Sequence, residues 1–204
     1  QVATPEGYAR NPELVINFYN ERRKQLLDVV PNAGHLGVAD LERDFNVTVV
    51  TQNVDNLHER AGSTHVIHLH GELTKVCSSR DPYNPHFVKE LAPEEYEVKL
   101  GDKAGDGTQL RPFIVWFGES VPEIETAIRY VEQADIFVII GTSLNVYPAA
   151  GLLNYVPRAA EVYLIDPKPV DTHVMRPIHV IQKGASEGVK ELKALLAATQ
   201  PPLL

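Results

Sequence analysis

Two hydrophobic rhythms alternate along this 204-residue chain. From Asn11 to about Leu27, Leu14, Val15, Phe18, Tyr19, Arg22 and Leu26 fall on one broad helical face. Asn11 can cap that helix, and Pro12 suits its first position. A second helical stretch at 32–44 runs into VTVVT at 47–51, a β-branched run that predicts a short buried strand. VIHLH at 66–70, FIVWF at 113–117, IFVII at 136–140, VYLI at 162–165 and HVIQ at 179–182 repeat the strand signature. Helical patterns occupy 123–134, 148–156 and 186–197. Short apolar strands alternating with amphipathic helices predict an α/β fold built on a mainly parallel sheet. Between Leu73 and Arg111 the rhythm breaks at Pro82, Pro85, Pro93 and the turn-rich GDKAGDG of 101–107. The pattern predicts a small inserted module over 73–111 on the rim of a main domain formed by 1–72 and 112–204.

Composition narrows the classes. With 44% apolar and 23% charged residues, disorder, collagen and coiled coil are excluded. Nineteen basic against 27 acidic residues leave a net charge of −8, which argues against nucleic acid as a partner. The one basic cluster, Arg22-Arg23-Lys24, is too short to make a phosphate-binding face. A single cysteine, Cys77, excludes an internal disulfide framework and an all-cysteine zinc site built by this chain alone. No stretch reaches the roughly 18 apolar residues of a membrane span. The opening QVATPEGYAR carries no apolar leader run. A cytoplasmic location and no membrane partner are the expectations. The chain opens on Gln1 rather than methionine, and its natural beginning is expected upstream.

Three segments could carry chemistry. In TQNVDNLHERAG (51–62), Gln52, Asn53 and Asp55 follow the carboxyl end of a predicted parallel strand, where open α/β sheets bind ligands. Their amide and carboxylate groups suit a carboxamide or ribose hydroxyls, although a plain helix-capping loop reads equally well here. His70 ends the next strand directly before Gly71, where close approach is sterically easy. Imidazole is the natural proton carrier near neutral pH, and a structural histidine is the alternative. GTSLNVYP (141–148) follows IFVII and offers backbone N–H groups and two hydroxyls to a phosphate or ribose, or simply closes a tight turn. No GxGxxG or Walker fingerprint occurs.

Taken together, TQNVDNLHERAG, HLHG at 68–71, VWFGE at 115–119, GTSLNVYPAAG at 141–151 and KGAS at 183–186 resemble the sirtuins, NAD-dependent protein-lysine deacylases, in order and spacing. The resemblance spans nearly the whole chain. It implies a Rossmann-like sheet with helices on both faces, a small inserted module, and NAD bound between them. It further implies that His70 is the general base and that Asn53 positions the ribose and a water. Asp55 would hold the nicotinamide carboxamide in its pocket, with Gln52 lining the ribose and Val54 among the cofactor-binding residues. Gly141, Thr142 and Ser143 would contact ribose and phosphate; Ile165, Asp166 and Pro167 the adenosine ribose; and Ala185 the adenine. The substrate peptide would add as a strand between Val115, Trp116, Phe117, Gly118 and Glu119 on one side and Asn145, Val146 and Tyr147 on the other. The implied reaction transfers the acyl group from lysine to the ADP-ribose of NAD, giving free lysine, nicotinamide and O-acyl-ADP-ribose.

Two departures stand out. The family usually carries zinc on four cysteines in its inserted module, and here only Cys77 stands in that stretch, so no zinc is expected. Phe87, Leu91, Tyr96, Val98 and Leu100 are expected to supply a small apolar core instead, with Cys77 a plain strand residue. The family's opening strand and Gly-Ala-Gly-x-Ser pyrophosphate loop are also missing from these 204 residues. That part is expected upstream of Gln1, and the chain without it is expected to be inactive. Tyr19 and Arg22 match the Tyr-x-x-Arg pair that, by the same resemblance, marks a bacterial class preferring succinyl or malonyl groups. Spacing of three puts both side chains on one helix face. The expected function is NAD-dependent deacylation of protein lysines, with desuccinylase or demalonylase preference and deacetylase activity as well. The alternatives are mono-ADP-ribosyl transfer and an inactive NAD or ADP-ribose binding module.

Overall fold

The computed structural model describes residues 1–142, 144, 147, 149–171 and 176–199. In chain order the elements are α1 (Pro5–Arg10), α2 (Pro12–Asp28), α3 (Ala33–Asp40), β1 (Val49–Thr51), α4 (Leu57–Ala61), β2 (Val66–His68), β3 (Gly71–Ser78), β4 (Lys89–Glu90), β5 (Leu110–Ile114), α5 (Ile124–Val131), β6 (Ile136–Ile140), α6 (Ala149–Leu153), β7 (Glu161–Ile165), β8 (His179–Ile181) and α7 (Ala185–Thr199). Single 3-10 turns occur at Leu41–Arg43, Pro85–Phe87 and Pro93–Glu95. The chain divides into two compact units, one of residues 1–30, 50–57 and 66–123, the other of 31–49, 58–65 and 124–204.

In the first unit α2 starts where the sequence signals it: the Asn11 side chain accepts from Leu14 N–H at 3.1 Å, with Pro12 at the first turn. Val15, Ile16, Tyr19 and Leu26 are buried, while Leu14, expected on that face, is 56% exposed. Val15, Tyr19 and Leu26 pack with Leu73, Ile114 and Trp116, and Ile16 packs with Val76 and Val98. Full burial of such side chains contributes about 1.5–3 kcal/mol each. β3 lies between β4 and β5, antiparallel to both, so this part of the α/β chain departs from the parallel arrangement expected for the apolar runs. The run FIVWF is not one strand; β5 ends at Ile114 and the chain turns after Val115.

The 73–111 segment has less of an apolar core than expected. Of the five residues named for it only Val98 is buried, against Ile16 of α2 and Val76 of β3, and Leu100 is half exposed. Polar side chains of α2 do the rest. Asn20 donates to Val98 C=O (2.8 Å) and accepts from Val98 N–H (2.9 Å), standing in for a strand partner. Arg23, 4% exposed, donates to Tyr96 C=O (2.8 Å) and to Asn20 Oδ1 (2.7 Å); burial pushes its guanidinium down to about 10. The far ends of the segment are tied by Ser78 Oγ, which donates to Asp106 and accepts from the N–H groups of Arg80 and Asp81.

In the second unit β6, β7 and β8 form a parallel sheet with β7 central, in the register Ile136↔Glu161 and Tyr163↔His179. Val162 to Ile165 are all buried, as a strand covered on both faces must be. Val189, Leu192 and Leu196 of α7 cover it, joined by Val38 of α3 and by Leu41 and Phe45. No helix among the described residues is long and apolar enough to cross a membrane.

Candidate active site

The first unit presents a polar loop and a histidine beside one strand pair. β1 delivers Gln52 and Asn53 past its carboxyl end, and short bonds hold the loop there. Asn53 N–H donates to Thr51 Oγ1 (3.0 Å), Asn53 C=O meets His68 Nδ1 (3.0 Å), and Val54 C=O accepts from Leu73 N–H (2.8 Å). The Asn53 side chain itself is exposed. Asp55 uses one oxygen to accept from Leu57 N–H (3.0 Å) at the start of α4, so the capping reading of this loop is met and its second oxygen remains for a ligand. His70 lies in the turn after β2, partly exposed, its carbonyl accepting from Val115 N–H at 2.9 Å. Gly71 follows with φ +88°, and a Cβ there would stand 2.1 Å from Phe113 O. Only glycine permits that approach, and it draws His70 against the segment that opens with Val115.

That segment is held from behind by contacts the sequence reading missed, made by its own Glu119 and by Arg111 and Tyr83, to which that reading gave no role. Glu119 N–H donates to Trp116 C=O (3.0 Å) and Glu119 Oε1 accepts from Trp116 N–H (2.8 Å), closing a turn with Gly118 at φ +91°. Arg111, whose side chain is 4% exposed, grips Glu119 through both terminal nitrogens (3.0 and 3.1 Å) and donates to Ile114 C=O (2.8 Å). Tyr83 adds a hydroxyl to Glu119 at 3.1 Å. Burial works against both charges. The ion pair outweighs it, keeping Arg111 above and Glu119 below their ordinary pKa ranges. The Arg111 guanidinium lies 3.8 Å from the Trp116 ring centroid. Trp116 is 2% exposed and donates from Nε1 to the Tyr19 hydroxyl (3.0 Å), while Phe117 is 79% exposed at the tip.

Tyr19 and Arg22 share α2 but part company. Tyr19 is buried against Trp116. Arg22 is exposed, donating to Gln25 (2.9 Å) with its guanidinium over the Phe18 ring at 4.8 Å. Cys77, the one cysteine, is fully buried in β3. Burial pushes its thiol up to about 12, and a lone buried thiol does not fit a tetrahedral thiolate zinc site.

In the second unit the carboxyl edge of the parallel sheet gathers the other predicted residues. Gly141 follows β6 with φ +67° and open space where a Cβ would stand, its N–H donating to Ile165 C=O at 3.0 Å. Thr142 is half-buried beside it; Ser143, Asn145 and Val146 lie outside the described residues, and Tyr147 is exposed. Ile165 is fully buried, so only its backbone can face a ligand. Asp166 gives one oxygen to Lys168 N–H (2.8 Å), Pro167 is exposed, and Ala185 opens α7. An open backbone cradle, a carboxylate and a helix start at the ends of β6, β7 and β8 fit a dinucleotide.

Such an edge belongs to an α/β protein of the Rossmann-like kind. The Sir2 family model matches residues 1–148, so the chain belongs to the Sir2 family. It is 83% identical over 196 residues to an NAD-dependent protein deacylase of Bacteroides thetaiotaomicron, covering 96% of this chain and 84% of that relative. Among solved structures it resembles a Sir2 homolog in complex with NAD (35% identity, TM-score 0.80, 98% of this chain and 78% of the other). It also resembles a Sir2–p53 peptide–NAD+ complex (25%, TM-score 0.75, 95% and 82%).

Proposed function

We propose that this chain is an NAD-dependent protein-lysine deacylase acting on acylated lysine side chains. One observation carries the reading. In a chain of the Sir2 family, the loop with Asn53 and Asp55 and the imidazole of His70 stand at the ends of the paired strands β1 and β2. NAD supplies an activated glycosidic bond to nicotinamide. Asp55 would use its remaining carboxylate oxygen to accept from a carboxamide N–H, and the exposed Asn53 side chain would orient a ribose hydroxyl or a water. A ring nitrogen of His70 would take the proton from a ribose hydroxyl, the step that gives an oxygen nucleophile near neutral pH. Gly141, with open space where a Cβ would stand, would let a phosphate approach the backbone, and Asp166 would hold a ribose hydroxyl through its other carboxylate oxygen. The peptide would lie along 115–118, where the Phe117–Gly118 peptide group has no backbone partner among the described residues.

Preference for acidic acyl groups is the finer reading. Among the described residues Arg22 hydrogen-bonds to the neutral Gln25 and lies over the Phe18 ring, with no carboxylate paired to it, so its fork is open to a ligand carboxylate. Tyr19, having accepted from Trp116, still has its own proton to donate.

Mass spectrometry of an acyl-lysine peptide incubated with NAD and the full-length protein tests the reaction. Loss of the acyl mass supports it; gain of ADP-ribose, or no change, refutes it. His70→Ala should lower the rate by about 10²–10⁴-fold with the fold retained. Arg22→Met should lower kcat/KM on a succinyl-lysine peptide by roughly 10- to 150-fold and leave the acetyl-lysine peptide within a few fold.

A further inference from the structure

Arg111 and Glu119 form a buried ion pair in a chain where most charges face solvent. Their side chains are 4% and 15% exposed. Desolvating two charges costs about as much as their attraction returns, so such a pair adds little net stability; what it does supply is geometry. Here that geometry is specific. Every hydrogen bond of the Glu119 carboxylate fixes the turn it terminates or the residue behind it: Trp116 N–H, both Arg111 terminal nitrogens and the Tyr83 hydroxyl. Arg111 in turn holds Ile114 C=O at the end of β5, and the Trp116 ring lies on its guanidinium. The N–H groups of 115–117 are therefore all committed. Val115 N–H goes to His70 C=O, Trp116 N–H to Glu119 and Phe117 N–H to Ala3 C=O. Val115 C=O and the Phe117–Gly118 peptide group have no backbone partner among the described residues, and the Phe117 ring is exposed.

We propose that Arg111 and Glu119 are positioning residues for substrate binding: as a buried pair they hold the Trp116–Glu119 turn in the shape that an acylated peptide lies against. The identity of that peptide rests on the deacylase reading. Loss of the pair weakens peptide capture and spares the chemical step, because neither side chain reaches out of the turn and His70 is tied to the segment only through the separate Val115 N–H bond.

The test compares the wild-type protein with Glu119→Gln, Glu119→Asp and Tyr83→Phe. Fluorescence anisotropy of a labelled acetyl-lysine peptide gives Kd in the presence of NAD, and steady-state assays give KM and kcat. Glu119→Gln keeps the shape and one acceptor but loses the charge. It should raise peptide Kd and KM by about 5- to 30-fold, with kcat within about threefold. Glu119→Asp, which keeps the charge on a shorter arm, should recover part of the loss. Tyr83→Phe removes one hydroxyl from the carboxylate and should raise KM by about two- to fivefold. A folded Glu119→Gln with unchanged peptide Kd, or with kcat falling while KM holds, overturns the proposal. If Glu119→Gln does not fold, Tyr83→Phe decides, and an unchanged KM there overturns it too. A wild-type protein that binds the peptide without turning it over would remove the deacylase reading and leave Kd to judge the pair. One that binds no peptide would remove both.

Discussion

Tyr19→Phe isolates one buried hydrogen bond behind the proposed substrate face. The Tyr19 hydroxyl accepts from Trp116 Nε1 at 3.0 Å, and the two residues are 6% and 2% exposed. Phenylalanine keeps the ring, so its packing near Phe18 and Trp116 persists and no large cavity opens. What changes is the indole N–H, left buried without an acceptor. Such a stranded donor costs about 1–3 kcal/mol. For a chain of this size each kcal/mol moves the midpoint by about 2–4 °C, so Tm should fall by roughly 2–12 °C. The assay is urea unfolding followed by tryptophan emission, and Trp116 is the only tryptophan, so the signal comes from the residue that loses its partner. On the acidic-acyl reading, succinyl-lysine turnover should drop more than acetyl-lysine turnover, because the same substitution removes a donor to the acyl carboxylate. A variant as stable as wild type within about 0.5 kcal/mol would show that the bond adds nothing net to stability. Equal loss of both activities would show that Tyr19 only supports Trp116.

Cys77, with its thiol pushed up to about 12 by burial, should resist alkylation in the native protein at pH 8 and react with one equivalent after denaturation. Mass spectrometry before and after urea reads this directly, and native labelling at the denatured rate would contradict it. Asp106 is held down to about 2, chiefly by the Ser78 hydroxyl and then by Thr108. Its folded value lies below the unfolded one, so its contribution is complete above about pH 4 and disappears as pH falls toward 2. Asp106→Asn should therefore flatten the stability profile between pH 4 and 2, measured by urea titration at successive pH values. A profile parallel to wild type would refute it.

Several features were legible from order alone. The apolar runs at 136–140 and 162–165 are short, continuous and flanked by polar residues, and they form β6 and β7 because a parallel strand covered on both faces needs no alternation. Asn11 and Pro12 marked the start of α2 because capping is local chemistry between residues three apart. The polar loop at 52–55 and His70 before Gly71 were legible for the same reason, since strand ends and glycines announce where backbone opens.

Other features needed the folded chain. β3 was hidden because Glu72 and Lys75 interrupt its apolar positions and pair with each other at 2.7 Å, and its pairing with β5 shifts register. FIVWF reads as one strand, yet it divides after Val115 because Glu119, beyond the run, captures Trp116 N–H, and Arg111 is folded against that carboxylate. Arg111, Glu119 and Asn20 look in sequence like ordinary surface residues. Only long-range packing takes them out of water, and a polar group loses water only when the fold supplies its replacement bonds. Local patterns therefore set most of the elements and the candidate groups, while the shape of the segment beside His70 was decided by partners distant in sequence.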